Sequence, residues 1–470
     1  MRRRYLLVAV VAIVAAAALT VGIVAARGEQ PPNLPQVTAA ELLFKMATTD
    51  HHNLAVNGEV SWTNDLLGQS GLVDTGHYGA AQWPFMASGS GRIWIQDGNV
   101  RLESQGGGGD RVAILNSTAG KAWTYDSAAN AVTEYTLPNE ANGPSASPEP
   151  SPTGTFGPAD IQKYIEQMAA TAKVTVAGTT TVAGRDAYVL QLEPTASDTA
   201  LGDVRVAVDG STYVPLKLEV FARDAAKPTL AFGFDSISYT SVGSDLFTFT
   251  PPIGANVTHT DLAKQLKAQG GADAAKPDGQ LGAGDAKKND WQVAGHREPK
   301  PLTVDQAQSK AGFTLLTPQG YETVRPFQGA WILDKAQLAE QMKALEKANA
   351  AAGTTAGEPA PTEPAANDQT QGGQTPSIDF KKLPDQAAMF RYGEGFGSIW
   401  LVETPSNAEI DKQLAKLPEQ ISKEQVAGHQ AWKVTTPLGG VIVWKQGDLT
   451  LMAGGMVTAS DLSEFIAAVK

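Results

Sequence analysis

The sequence predicts an α+β protein made of two folded units. Three observations carry this. From about Leu54 to Thr250, short apolar runs recur at intervals of roughly ten residues between Gly, Asp, Asn and Ser, the pattern of many short strands. A few segments switch to helical spacing. Three polar stretches rich in Ala, Gly, Pro, Ser or Thr, at 139–157, 255–300 and 350–377, interrupt the 470-residue chain.

Composition narrows the function classes. Hydrophobic residues are 42% and charged residues 18%, which excludes a wholly disordered chain. A net charge of −12 argues against a nucleic-acid partner, which needs a basic face to neutralise phosphates. There is no cysteine. Disulfides, thiolate metal sites, cysteine nucleophiles and acylation at a lipobox are all excluded with it.

Arg2, Arg3 and Arg4 precede an uncharged stretch from Tyr5 to Ala26. As a helix it would span about 33 Å, enough for a bilayer core of about 30 Å. The basic flank puts the N-terminus in the cytoplasm. Residues 1–27 are therefore expected to be a cytoplasmic Arg tail with a single transmembrane anchor. The alternative is a cleaved signal peptide, with Ala25 and Ala26 near the cleavage site and the rest secreted. Either way the bulk is extracytoplasmic.

A Pro-rich tether, 28–36, leads to a helix from about Thr38, where Thr38 and Glu41 form a capping box. Leu42, Leu43 and Met46 share one face. Strands then read at Leu54–Trp62, Gly91–Gln96, Asn99–Ser104, Arg111–Asn116 and Lys121–Asp126, with Asp97-Gly98 as a two-residue hairpin turn. Pro158–Thr171 is helical in its spacing. Strands resume at Asp186–Glu193, Asp203–Asp209, Tyr213–Phe221 and Pro228–Tyr239. Val204, Val206 and Val208 oppose Arg205 and Ala207, and Leu216, Leu218 and Val220 oppose Lys217 and Glu219. Such alternation means a sheet covered on one face. The first unit, 38–255, is thus one antiparallel sheet with helices on a face.

The second unit, 301–470, follows a linker at 256–300. Helices fit Thr303–Ala311, Leu333–Ala348, Asn407–Lys416 and Ala459–Val469. Strands fit Ala387–Tyr392, Gly397–Val402, Gln430–Thr435, Gly440–Trp444 and Leu449–Met452. Val182-Ala183-Gly184-Arg185 is echoed by Val426-Ala427-Gly428-His429, the same hairpin solution used twice.

Signatures of catalysis are missing. The six histidines have no HExxH spacing, no GxSxG elbow occurs, and the Gly106–Gly109 run lacks the Lys-Ser/Thr of a phosphate loop. His51-His52 reads as a helix end and Gly393, Gly395 and Gly397 as a loop. No acid pair stands out. No enzyme, metal or cofactor is expected. The aromatic residues of the first unit are more informative. A half-covered sheet with many large side chains packs on helices or encloses an apolar cavity, and a curled one would bind a hydrophobic ligand. The cavity candidates are Trp62, Trp94, Leu102, Ile114, Trp123, Tyr125, Leu190, Leu192, Val206, Leu216, Leu218, Phe232 and Phe234.

An ordered set of motifs runs through 38–255: Gly98–Glu103 (GNVRLE), Gly109–Val112 (GDRV), Lys121–Asp126 (KAWTYD), Val182–Leu192 (VAGRDAYVLQL), Asp203–Asp209 (DVRVAVD), Val214–Val220 (VPLKLEV) and Phe247–Pro252 (FTFTPP). This set resembles the LolA-like lipoprotein-carrier superfamily, closest to actinobacterial LolA-type proteins and the N-terminal domain of RseB/MucB-type sigma-factor regulators. The resemblance implies a half-open antiparallel β-barrel with helices on its concave face, no enzymatic chemistry, and a lipid or acylated protein as ligand. The chain departs from the family's lipoproteins in having no acylated Cys. Residues 301–470 more loosely resemble small extracytoplasmic domains that accompany anti-sigma factors and LolA-like proteins. The two-unit layout implies a second function, an RseB-like regulator contacting a membrane anti-sigma factor.

Overall fold

The computed structural model describes residues 32–49, 54–66, 88–105, 109–137, 158–261, 300–335, 384–417 and 421–470. A large sheet is built from β1 (Val56–Asn64), β2 (Gly89–Gln96), β3 (Asn99–Gln105), β4 (Arg111–Asn116), β5 (Lys121–Asp126), β6 (Ala131–Thr136), β7 (Ala172–Val182), β8 (Arg185–Pro194), β9 (Leu201–Asp209), β10 (Pro215–Ala222), β11 (Leu230–Ser238) and β12 (Asn256–Asp261). Its order is β12-β6-β5-β4-β3-β2-β1-β11-β10-β9-β8-β7, so β12 and β7 are free edges and no closed barrel forms. Two helices belong to this part, α1 (Ala39–Thr48) and α2 (Pro158–Met168).

A smaller sheet follows, with β13 (Phe327–Asp334), β14 (Gln386–Tyr392), β15 (Ile399–Pro405), β16 (Ser422–Val426), β17 (His429–Thr436), β18 (Gly439–Gln446) and β19 (Leu449–Gly455). Its order is β13-β14-β15-β19-β18-β17-β16. Its helices are α3 (Val304–Lys310), α4 (Ala408–Ala415) and α5 (Ala459–Ala468). Leu462, Phe465 and Ile466 of α5 share one buried cluster with Phe390, Tyr392, Ile399, Leu401, Trp444 and Leu451.

Local chemistry explains several elements. Thr38, Thr303 and Thr458 each open a helix with a complete capping box, closed by Glu41, Gln306 and Asp461. Asp97-Gly98, Ala183-Gly184 and Ala427-Gly428 all have positive φ at both positions, the primed turn that fits the twist of a tight hairpin. The two alanines accept a left-handed conformation that disfavours a Cβ by roughly 1–2 kcal/mol.

Three expectations are corrected. The large sheet is mixed: β12 runs parallel to β6, from Asn256↔Ala131 to Asp261↔Thr136. After β11 the chain turns through Ser244–Phe247 and enters beside β6 in the same direction, so 256–261 is strand where a linker was expected. Leu333 and Asp334 end β13, so the helix expected from Leu333 opens only at Lys335, the last described residue of that stretch. The rest of that expected helix lies outside the described residues, as do the polar stretches at 139–157 and 350–377 and most of 256–300.

The third correction concerns localisation. No helix among the described residues is long and apolar enough to cross a membrane. The longest, α2, has 11 residues and spans about 16 Å against a bilayer core of about 30 Å. The single-pass placement, with a cytoplasmic N-terminus, is set aside; the stretch on which it rested, Tyr5–Ala26, lies outside the described residues.

Candidate functional site

The register of the large sheet assembles one continuous apolar row. Val176 pairs with Leu190, Leu190 with Val206, Val206 with Leu218, Leu218 with Phe232, and Phe232 with Trp62. The row crosses β7, β8, β9, β10, β11 and β1. Because side chains alternate along a strand, Leu192, Phe234 and Val60 stand on the same face two residues away. Leu102 joins through Ile93, which it faces across β2 and β3. Trp62, Leu102, Leu216 and Phe234 are buried in one cluster with Val60.

α1 lies over part of this face, and α2 packs beside it on α1 and β7. Leu42 and Met46 of α1 pack on Tyr188, Leu190, Val206, Val208 and Leu218. The capping box starts the helix at Thr38, and the preceding segment is tied to the sheet by Tyr188 Oη donating to Pro35 O at 2.9 Å and Thr179 Oγ1 to Pro32 O at 2.8 Å. Lys45 Nζ donates to Tyr213 Oη at 3.0 Å, which raises the Lys45 pKa. At the other end of the row, Trp62 lies across Gly89, where an added Cβ would sit 2.9 Å from the indole ring. Glycine is required there by this close approach. Phe232 and Phe234 meet edge-on at 6.3 Å.

The remaining candidates fall on the opposite face. Trp94 pairs with Arg101, Arg101 with Ile114, and Ile114 with Trp123, and Tyr125 stands two residues beyond Trp123. This face is covered by the chain that follows β11. Arg101 donates to Leu246 O at 2.9 Å, Asn116 to Phe247 O at 3.0 Å, and Phe249 packs 5.8 Å from the Tyr125 ring. Ile114, Trp123 and Val132 are buried beneath Phe249, Ala255 and Val257.

An ion pair joins the start of β8 to the end of β9. Asp209 is 1% exposed and pairs with Arg185. Burial alone would raise its pKa, but Arg185, the N–H groups of Thr212 and Ser211, and the Tyr239 hydroxyl together lower it to about 2. Among the described residues no group of three or more His, Asp or Glu is arranged to hold a metal ion.

A second feature, which sequence reasoning missed, joins the two sheets. Arg325 is 2% exposed and meets the Asp198 carboxylate at 2.7 Å and the Asp198 carbonyl at 3.1 Å. It also donates to Gly397 O and lies 3.8 Å from Asp461. Beside it, Thr199 Oγ1 and Ala200 N both donate to Met456 O, at 2.7 and 2.8 Å. Leu201, Val220, Ala222 and Leu230 of the large sheet bury Leu438 between β17 and β18. Val204 touches both this contact and the cluster under α1. Nothing in the sequence around Arg325 marks it, because its partners come from three distant segments.

No protein-family model matches the chain, and no curated protein matches it. Among solved structures the chain is similar to MucB in the MucA/MucB complex of Pseudomonas aeruginosa, with 10% identity and a TM-score of 0.37, over 92% of this chain and 98% of that one. It is similar to a LolA superfamily protein from Nitrosomonas europaea, with 13% identity and a TM-score of 0.16, over 46% of this chain and 99% of that one. A lipoprotein-sorting domain from Vibrio parahaemolyticus aligns at 14% identity and a TM-score of 0.17, over 44% and 95%. At such low similarity these likenesses carry no inference about this chain's fold, ligand or partner.

Proposed function

We propose that the chain is a non-enzymatic binding protein whose large sheet forms a half-open barrel and takes the acyl part of a lipid or lipidated ligand on the face beneath α1. The observation that supports this reading is the unbroken row Val176–Leu190–Val206–Leu218–Phe232–Trp62, with a 10-residue helix over only part of it. Apolar side chains aligned across six strands favour a chain-like apolar ligand, since burying it removes about 0.8 kcal/mol per CH₂ from contact with water. Polar groups at the rim, such as Lys45 beside Tyr213, suit a ligand with a polar head.

The test uses the purified full chain and a fluorescent long-chain fatty acid. Saturable binding that unlabelled phospholipid displaces is expected, and it should persist in Trp400→Ser on the small sheet. Absence of saturable binding would overturn the reading. It would then favour the second one, a regulator contacting an anti-sigma factor or other envelope protein. That reading is favoured by Trp400, Val441 and Met452, apolar side chains left exposed on the outer face of the small sheet.

A further inference from the structure

The small sheet holds a carboxyl group where only apolar side chains belong. Glu403 is 0% exposed. Its cross-strand neighbours are Ala388 and Leu451, and the row continues through Trp444 to Ala431. Every other member of that row is also 0% exposed. One carboxyl oxygen, Oε2, accepts the Leu316 N–H at 2.9 Å. The other, Oε1, has no partner among the described residues, and neither does the buried Tyr392 hydroxyl.

The ionisable groups on the surrounding elements are Arg391 and Tyr392 on β14, Tyr321, Glu322 and Arg325 in the turn before β13, Asp461 and Glu464 on α5, and Lys470; Arg391 lies over the Trp400 ring on the outer face. Arg325 is turned to Asp198, Gly397 and Asp461. Among the described residues only burial and the Leu316 N–H act on Glu403 and no cation compensates it, so a carboxylate in such a place is strongly disfavoured. Burial, opposed only by the Leu316 N–H, raises its pKa to about 8, and Tyr392 beside it is raised as well.

The segment that Glu403 touches leads to the inter-sheet contact. Leu315 and Leu316 pack on the small-sheet core, and Thr317 exchanges backbone hydrogen bonds with Lys470. The chain then turns at Tyr321, whose carbonyl accepts from Arg325 N at 2.9 Å. The guanidinium that holds Asp198 belongs to Arg325, nine positions after Leu316.

We propose that Glu403 is a proton-held pin: neutral, it closes the small-sheet core under the 312–326 segment, and on losing its proton it opens that segment and loosens the hold of Arg325 on the large sheet. Its folded pKa lies above the ordinary value of 4.5, so its contribution to stability is complete below 4.5 and lost as pH rises through about 8.

Hydrogen exchange read by mass spectrometry on the full chain tests this, with rates corrected for intrinsic pH dependence. In the wild type, protection of the peptide over 312–326 should fall up to roughly tenfold per pH unit between about 5 and 8 and level off above. Glu403→Gln, which has the same shape and no proton to lose, should remove that dependence while α1 is unaffected. Equal loss of protection in both proteins, or unchanged protection in the wild type, would overturn the pin. Should Glu403→Gln fail to fold, infrared spectra of the wild type decide. A protonated-carboxyl band that disappears between pH 7 and 9 supports the proposal, and its absence at pH 7 rejects it. Neither readout depends on a ligand, so acyl binding can fail without affecting this result.

Discussion

The two sheets close their buried faces in different ways. The small sheet is sealed by its own chain: α5 places Leu462, Phe465 and Ile466, each 0% exposed, on Phe390, Leu401 and Trp444. Polar intrusions into this core are few and specific, Glu403 above all. The large sheet spreads its apolar residues over several separate clusters, and α1 covers the part spanned by β7, β8, β9 and β10. A face sealed by a contiguous core serves stability, whereas the wide face partly under α1 is where the proposed ligand would bind.

The sharpest way to break this comparison is to open the sealed face. Trp444 is fully buried and its indole N–H donates to Gln446 at 3.1 Å. Trp444→Ala should cost about 3–5 kcal/mol through cavity formation and lost contacts. Thermal unfolding followed by near-ultraviolet circular dichroism should show the small sheet melting first, with the large sheet's transition retained. A uniform downward shift of a single transition would mean that the two sheets unfold as one body.

The next largest effect lies at the contact between them. Among the described residues, Asp198→Asn leaves the buried Arg325 with only Asp461, at 3.8 Å, as an opposite charge. Removing one partner of a buried pair commonly costs about 3–5 kcal/mol. Asp198 is 37% exposed, so screening by solvent reduces this to about 2 kcal/mol here. The loss falls on docking and not on either core. Small-angle scattering should report a larger radius of gyration while each sheet keeps its circular dichroism signal. An unchanged radius would show that Leu438 and the Met456 carbonyl contacts suffice to hold the sheets together.

How much of this was legible in the sequence follows from the range of each interaction. Arg111–Asn116 and Lys121–Asp126 were readable to the residue, because alternation and turn chemistry are local. So were the Asp97-Gly98 turn and the Thr38 cap. Ala131–Thr136 was not, being too polar to show one apolar face, and of Ala172–Val182 and Ser422–Val426 only the ends at the two matching hairpins were. The parallel addition of Asn256–Asp261 depends on a partner more than a hundred residues away. At the site, alternation identified apolar positions within each strand but not which face they join. Trp62, Leu190, Val206, Leu218 and Phe232 meet in one row, whereas Trp94, Ile114, Trp123 and Tyr125 stand on the other face, because register across the sheet decides this. Glu403 did leave a signal: it completes the alternation Ile399, Leu401, Glu403, a charged residue at an inward position.

The smallest effect discriminates most finely between the faces. Thr38 and Thr458 open α1 and α5 with the same device, a threonine hydroxyl accepting a backbone N–H at 3.1 Å and a carboxylate reaching back. Replacing such a cap by alanine costs about 1 kcal/mol in either helix. The consequences should differ. Thr458→Ala acts on a helix whose apolar face is locked into a closed core, so the loss should appear as a few degrees in the melting temperature of the small sheet. Thr38→Ala acts on a helix with only Leu42 and Met46 fully buried against the sheet besides Ala40. Its loss should therefore increase local opening of α1, about fivefold in hydrogen exchange, with little change in global melting. If α1 covers a ligand face, the fatty-acid probe should also enter faster in Thr38→Ala and at an unchanged rate in Thr458→Ala. Equal melting shifts and equal probe kinetics in the two variants would show that α1 is core like α5, and the wide face beneath it would lose its claim as a binding site.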